Sequence, residues 1–269
     1  MMRRTSAAIL PGHRRSRIVI GALVLVAALA ATSLFAQRRG RPPEAMPNAP
    51  YDGKFTFIRV RYNPGSGTFG DGTFGGRDVK WNHDYPRAEL HFGKILSELS
   101  LVQTYLGGSN ILTADDPALF QYPIAYITEP GFWTVNQKEA EALRNYLLKG
   151  GFLIFDDFYG PHWDNFADQM TLVLPEARLV KLDLTHPIFD SFFRIESLEY
   201  WHPYQAGYQS EFWGIFEDND PARRLMVIVN YNNDMTEYWE FSDTDFAPIE
   251  LTNEAYKLGV NYVIYAMTH

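Results

Sequence analysis

Residues 136–159 read NQKEAEALRNYLLKGGFLIFDDFY, and this stretch decides the fold. Asn136 can cap a helix, with Glu139 three residues on to complete a capping box. Ala140, Leu143 and Leu147 then form one apolar stripe, and Gly150 is placed to end the helix. Phe152 to Phe155 is continuously apolar, as in a parallel strand covered on both faces. Asp156 and Asp157 stand at its C-terminal end, the edge where open α/β sheets bind ligands.

The same reading extends outward. Lys54 to Tyr62 alternates as a strand, with Arg59 and Arg61 between apolar residues. Pro86 to Leu101 has helical spacing, Ile124 to Thr128 is a short buried strand, and His162 to Leu174 a helix. Leu179 to Leu182 and Leu225 to Val229 read as strands, and Asn253 to Met267 as a closing helix. Pro187 to Asp220 is aromatic and without a period. Strands alternating with helices predict an α/β fold: an open, mostly parallel sheet with helices on both faces.

Composition narrows the function. Of 269 residues, 46 % are hydrophobic and 21 % charged, as in a folded globular protein. Eight arginines precede the first acid, Glu44, so the remainder is more acidic than the overall net charge of -8. An acidic body argues against nucleic acid and against docking on anionic lipid. The absence of cysteine excludes disulfides, thiolate metal sites and a Cys nucleophile.

Ile18 to Ala36 carries no charge and follows Arg14, Arg15 and Arg17. Residues 1–36 therefore read as a signal peptide or a retained membrane anchor, with the body exported in either case. Residues 37–50 hold Pro42, Pro43, Pro47 and Pro50 and read as a linker, and 51–269 as the folded domain.

Several motifs bear on chemistry. Gly65 to Gly70 and Gly70 to Gly75 both match Gly-x-Gly-x-x-Gly, but no helix opens at the third glycine and no ribose-binding acid follows. A flexible loop explains the repeat, and no cofactor is expected. Asp156-Asp157 is the strongest candidate. Either one aspartate caps the next turn and the other faces water, or the pair serves a ligand. His162 lies close by in sequence and completes a candidate catalytic set of Asp156, Asp157 and His162. Asn232 and Asp234, in the polar run after the strand at Leu225, join the aspartates as candidate ligand-binding residues. No His-x-x-x-His or His-Glu-x-x-His spacing occurs, so no metal ligands are assigned. The elbow position holds aspartates and no Gly-x-Ser-x-Gly occurs, which removes serine hydrolase chemistry.

The chain resembles a known family, domain of unknown function 4159, from about Phe55 to Met267. The landmarks are Phe57-Ile58-Arg59-Val60-Arg61-Tyr62, Asp84-Tyr85-Pro86, Tyr122-Pro123 with Tyr126, Glu129-Pro130-Gly131, Leu143-Arg144, Gly150-Gly151-Phe152-Leu153 with Asp156-Asp157, His186-Pro187-Ile188-Phe189, and Leu258-Gly259-Val260-Asn261. The resemblance implies a bacterial, often exported, flavodoxin-like domain related to the class I glutamine-amidotransferase-like fold. Amidotransferase activity does not carry over, because the elbow cysteine of that relative is missing here. Some members accompany ATPase chaperones and von Willebrand A-type proteins, which implies an envelope partner. The family supplies no activity to transfer. The expectation is a non-catalytic exported binding or envelope-assembly module, with a metal- or glycan-directed hydrolase as the alternative.

Overall fold

The computed structural model describes residues 46–64, 79–200 and 207–269. The apolar segment at 18–36 and the glycine repeat at 65–75 lie outside them. Among the described residues no helix is long and apolar enough to cross a membrane.

Seven strands form one sheet in the order β2-β1-β3-β4-β7-β6-β5. They are β1 (Phe55–Arg61), β2 (Thr104–Thr113), β3 (Ile124–Thr128), β4 (Phe152–Asp156), β5 (Val180–Lys181), β6 (Glu211–Phe216) and β7 (Leu225–Tyr231). The pairs β1–β2, β1–β3, β3–β4 and β4–β7 are parallel. Strands β6 and β5 extend the sheet antiparallel. The helices are α1 (Arg87–Leu99), α2 (Gln137–Leu148), α3 (His162–Val173), α4 (Met235–Glu240) and α5 (Ile249–Thr268). The α/β class expected from the sequence is the class observed.

The period of two along each strand divides the core between the two faces of the sheet. Phe57, Tyr126, Ile154 and Ile228 point to one face, where Phe92 of α1, Trp239 of α4 and Tyr262 of α5 cover them. Ile58, Ile127, Phe155 and Val229 point to the other, beneath Leu143 of α2 and Phe166 of α3. Each such side chain, fully buried, contributes roughly 1.5–3 kcal/mol. Covering on both faces is why Phe152 to Asp156 is buried at every position.

The decisive helix–strand unit folds for the reasons its residues supply. Asn136 Oδ1 accepts the Glu139 amide at 3.0 Å, and Glu139 Oε2 accepts the Asn136 amide at 2.9 Å. At the other end Gly150 takes φ 108, and Gly151 donates back to Tyr146 O at 2.9 Å. The chain thus turns straight into β4.

Two elements go beyond the sequence reading. Strand β6 lies inside the stretch read as irregular, and helix α4 follows the polar run that ends at Asp234, where no helix was read. Strand β2, which begins just after Val102, is the outer edge of the sheet. The segment just ahead of Tyr51 is also tied down. Asn48 exchanges two hydrogen bonds with the Ile111 backbone, and Asn110 two with the Ala49 backbone, at 2.8–2.9 Å. Residues 46–49 thereby shield the β2 edge from another strand.

Candidate functional site

The chain runs from β1 outward to β2 and then back past β1 to β3, so the order reverses between β1 and β3. In such sheets the crevice beyond the strand C-termini at that reversal is the binding position. Three neighbouring strands end there in the same way. Glu129, Asp157 and Asn232, the first residues after β3, β4 and β7, have φ of 51, 61 and 59°. Asp84, in the loop between β1 and α1, has φ 63°. Left-handed backbone in a residue other than glycine costs on the order of 1 kcal/mol and collects at functional sites. Here it turns the chain sharply off each strand and holds the acids over the sheet edge.

The side chains converge. His83 Nδ1 lies 2.8 Å from Glu129 Oε1 and 3.7 Å from Asp157 Oδ2. Lys80 Nζ is 3.3 Å from Glu129 Oε1 and stands over the Phe132 ring. One ligand atom from each of His83, Glu129 and Asp157 falls within 4.8 Å of the others, and the same holds for Asp84, Asp157 and Asp234. Asp157 belongs to both sets. Burial and the Glu129 carboxylate push Asp157 well above the usual carboxylate range, against the pull of His83. Asp234 is pushed up in the same way by burial and by Asp157.

The five residues singled out in the sequence have separate positions. Asp156 is fully buried, and its Oδ2 accepts the amides of Met235 at 2.8 Å and Thr236 at 3.3 Å. Burial raises it to about 6, opposed by Tyr126 and those amides. Asp157 carries a side chain that is 11 % exposed, and its charged neighbour is His83 Nδ1 at 3.7 Å, longer than a hydrogen bond. His162 packs its ring against Phe132 and Tyr159, at 4.8 and 4.9 Å, and burial holds its pKa below normal. No hydrogen bond among the described residues joins it to either aspartate. Asn232 accepts the Gly160 amide and donates to Gln209 O, both at 3.0 Å, fastening the turn after β4. Asp234 caps α4 through the Glu237 amide at 3.0 Å while remaining within the carboxylate group.

Glu129, His83 and Asp84 enter the site without having been singled out for it. The available signal for Glu129 was positional: it follows β3 as Asp157 follows β4. Below them Arg59, which alternation had placed between apolar residues, is fully buried. It pairs with Glu89 of α1 and donates to Thr128 Oγ1 at 2.7 Å and Trp81 O at 3.1 Å. It therefore links the end of β3 to the turn that presents His83.

Chemically, the described residues form a carboxylate-rich edge that includes the His83 imidazole and the Lys80 ammonium. It suits a cation or a ligand rich in donors. Among the described residues it offers oxygen and imidazole donors for a metal, from His83, Glu129, Asp157, Asp84 and Asp234.

Fold and site together define an α/β domain with an acidic edge at the reversal of its parallel sheet. The chain belongs to the family described as "Domain of unknown function (DUF4159)", whose model matches residues 56–267. No curated protein matches it.

Proposed function

We propose that this is an exported, non-catalytic binding module whose recognition site is the strand edge around Asp157. The observation that carries the reading is Asp157 itself. A carboxylate on a side chain only 11 % exposed, in left-handed backbone, among other acids and with His83 no nearer than 3.7 Å, is held at a cost to the free protein. Such a cost is expected where a ligand later supplies the missing partner. The order β2-β1-β3-β4 supports reading the sheet as flavodoxin-like, with the ligand at its switch point. Arg14, Arg15, Arg17 and the uncharged Ile18 to Ala36 support export, by a cleaved signal or a retained anchor, with an envelope protein as the partner class.

The alternative, a hydrolase working through Asp156, Asp157 and His162, has less behind it. Asp156 is occupied by two backbone amides, and His162 packs among rings. Neither arrangement offers a base poised over a common point.

The test is thermal unfolding of the full chain, in mild detergent and with chelator, comparing the parent with Asp157→Asn. Relief of about 1 kcal/mol of repulsion and desolvation should raise the midpoint by roughly 2–4 °C. Asp218→Asn is the control for the preference of asparagine for that backbone, because Asp218 has φ 54 and is exposed; its surface pair with Arg223 is worth about 0–1 kcal/mol and is allowed for by Arg223→Gln. A lower midpoint for Asp157→Asn would make Asp157 a structural residue and overturn the reading.

A further inference from the structure

We infer that Asp157 is the shared ligand of a divalent-cation site, with His83 and Glu129 on one side of it and Asp84 and Asp234 on the other. The inference rests on the binding reading above and names what the edge binds. Three observations carry it. First, the donors are mixed: an imidazole Nδ1 and a carboxylate oxygen from each of four acids, all within 4.8 Å inside each set of three. A purely electrostatic surface needs no such convergence from separate strand ends. Second, Asp157, common to both sets, has a largely buried side chain, 11 % exposed, that faces both, and among the described residues its nearest charged donor, His83 Nδ1, is 3.7 Å away. Its oxygens therefore have coordination capacity that the protein does not fill. Third, the positive groups acting on these acids are Lys80 and His83 at Glu129 and Asp157, with Arg59 behind Asp84. Among the described residues Asp156, Glu237 and Glu240 add to the acids of this edge, so negative groups outnumber positive ones there.

Binding follows ordinary ligand chemistry. His83 Nδ1 gives up any proton it shares with Glu129 and presents its lone pair, while the carboxylates coordinate as anions. One imidazole among carboxylates favours Mn²⁺ over Mg²⁺ and Ca²⁺, and Zn²⁺ competes through the same nitrogen.

The experiment is Mn²⁺ titration of the chelator-stripped full chain, followed by thermal unfolding and by the loss of the free Mn²⁺ paramagnetic resonance signal. With Mn²⁺ at 100 times its dissociation constant, the midpoint should rise by roughly 5–10 °C. Asp157→Asn should abolish the rise, and Glu129→Gln and Asp234→Asn should each weaken binding at least tenfold. Two readouts protect against variants that fold poorly, since the resonance signal reports binding directly. No midpoint shift and no signal loss with Mn²⁺, and no shift with Mg²⁺, Ca²⁺ or Zn²⁺, overturns the cation site. If Asp157→Asn still raises the metal-free midpoint in that case, the binding edge stands and only the cation falls. If Mn²⁺ binds equally well to Asp157→Asn, the ion sits elsewhere and the inference fails.

Discussion

Asp156 and Asp157 are neighbours in the chain with opposite settings: Asp156 accepts the amides of Met235 and Thr236, and Asp157 accepts none. The last residue of β4 and the left-handed residue after it thus divide structure from binding. Asp156 fastens α4 to the sheet, and so fixes Asp234 near Asp157.

Asp156→Ala should therefore destabilise the protein, the reverse of Asp157→Asn. It leaves the Met235 and Thr236 amides buried without an acceptor, at a cost of about 1–3 kcal/mol. Relief of the buried charge works the other way, by about 3 kcal/mol for a carboxylate that burial raises to about 6. Two stranded amides at about 1–3 kcal/mol each, with the cavity left by the side chain, should outweigh it. Denaturant unfolding at neutral pH measures the difference; an Asp156→Ala protein as stable as the parent would refute the division of roles.

Arg59→Met should cost about 3–5 kcal/mol, since it abandons Glu89 as an uncompensated charge in the core. It also removes the donors to Thr128 and Trp81. Adding Glu89→Leu should recover most of the loss, because a packed apolar pair avoids the desolvation of both ions. Equal stability of the single and double variants would show that the damage comes from the Trp81 turn instead.

His186 gives a pH dependence away from the site. Its Nδ1 accepts the Ile188 amide at 3.2 Å, and its ring lies against Phe216 and Tyr265. Burial depresses its pKa, His269 adds to the effect, and Asp183 opposes it. The unfolded chain therefore takes up the proton first. The His186 contribution is intact above about pH 6.5 and declines as pH falls below that value. His186→Asn retains a capping acceptor without the titration. Its stability should fall less than the parent's between pH 7.5 and 5.5, as followed by urea unfolding; an identical fall would clear His186.

The sequence exposes what local rules encode. The capping box at Asn136, the stop at Gly150 and the apolar run into Asp156 each act within a few residues, and the structure has them where they read. Helix α4 is hidden because Met235 to Trp239 are all buried, so no one-sided stripe exists to detect. Strand β2 carries Gly107 and Gly108 and a shifted register against β1, which blurs its alternation. The aspartate pair is legible as a strand-end feature. Its companions Glu129, His83 and Asp84 are not, because only the order of strands brings distant loops to one edge.

Gly259 tests how tightly that edge is supported from behind. It lies in α5 facing Phe92 and Trp239, whose rings stack with centroids 4.4 Å apart. A Cβ there would meet Phe92 Cε2 and Trp239 Cζ2, each at 2.6 Å. Alanine gains about 1 kcal/mol of helix propensity, but overpacking a buried ring pair costs about 1–3 kcal/mol. Both rings are 1 % exposed, and the void they share with Gly259 is only about 10 Å³, so the packing term should win. Gly259→Ala should lose stability by about 1 kcal/mol. Because Trp239 belongs to α4, the strain should also reach Asp234 and weaken Mn²⁺ binding. A Gly259→Ala protein of higher stability would mean that α5 can slide on the sheet, and that the binding edge does not depend on its position.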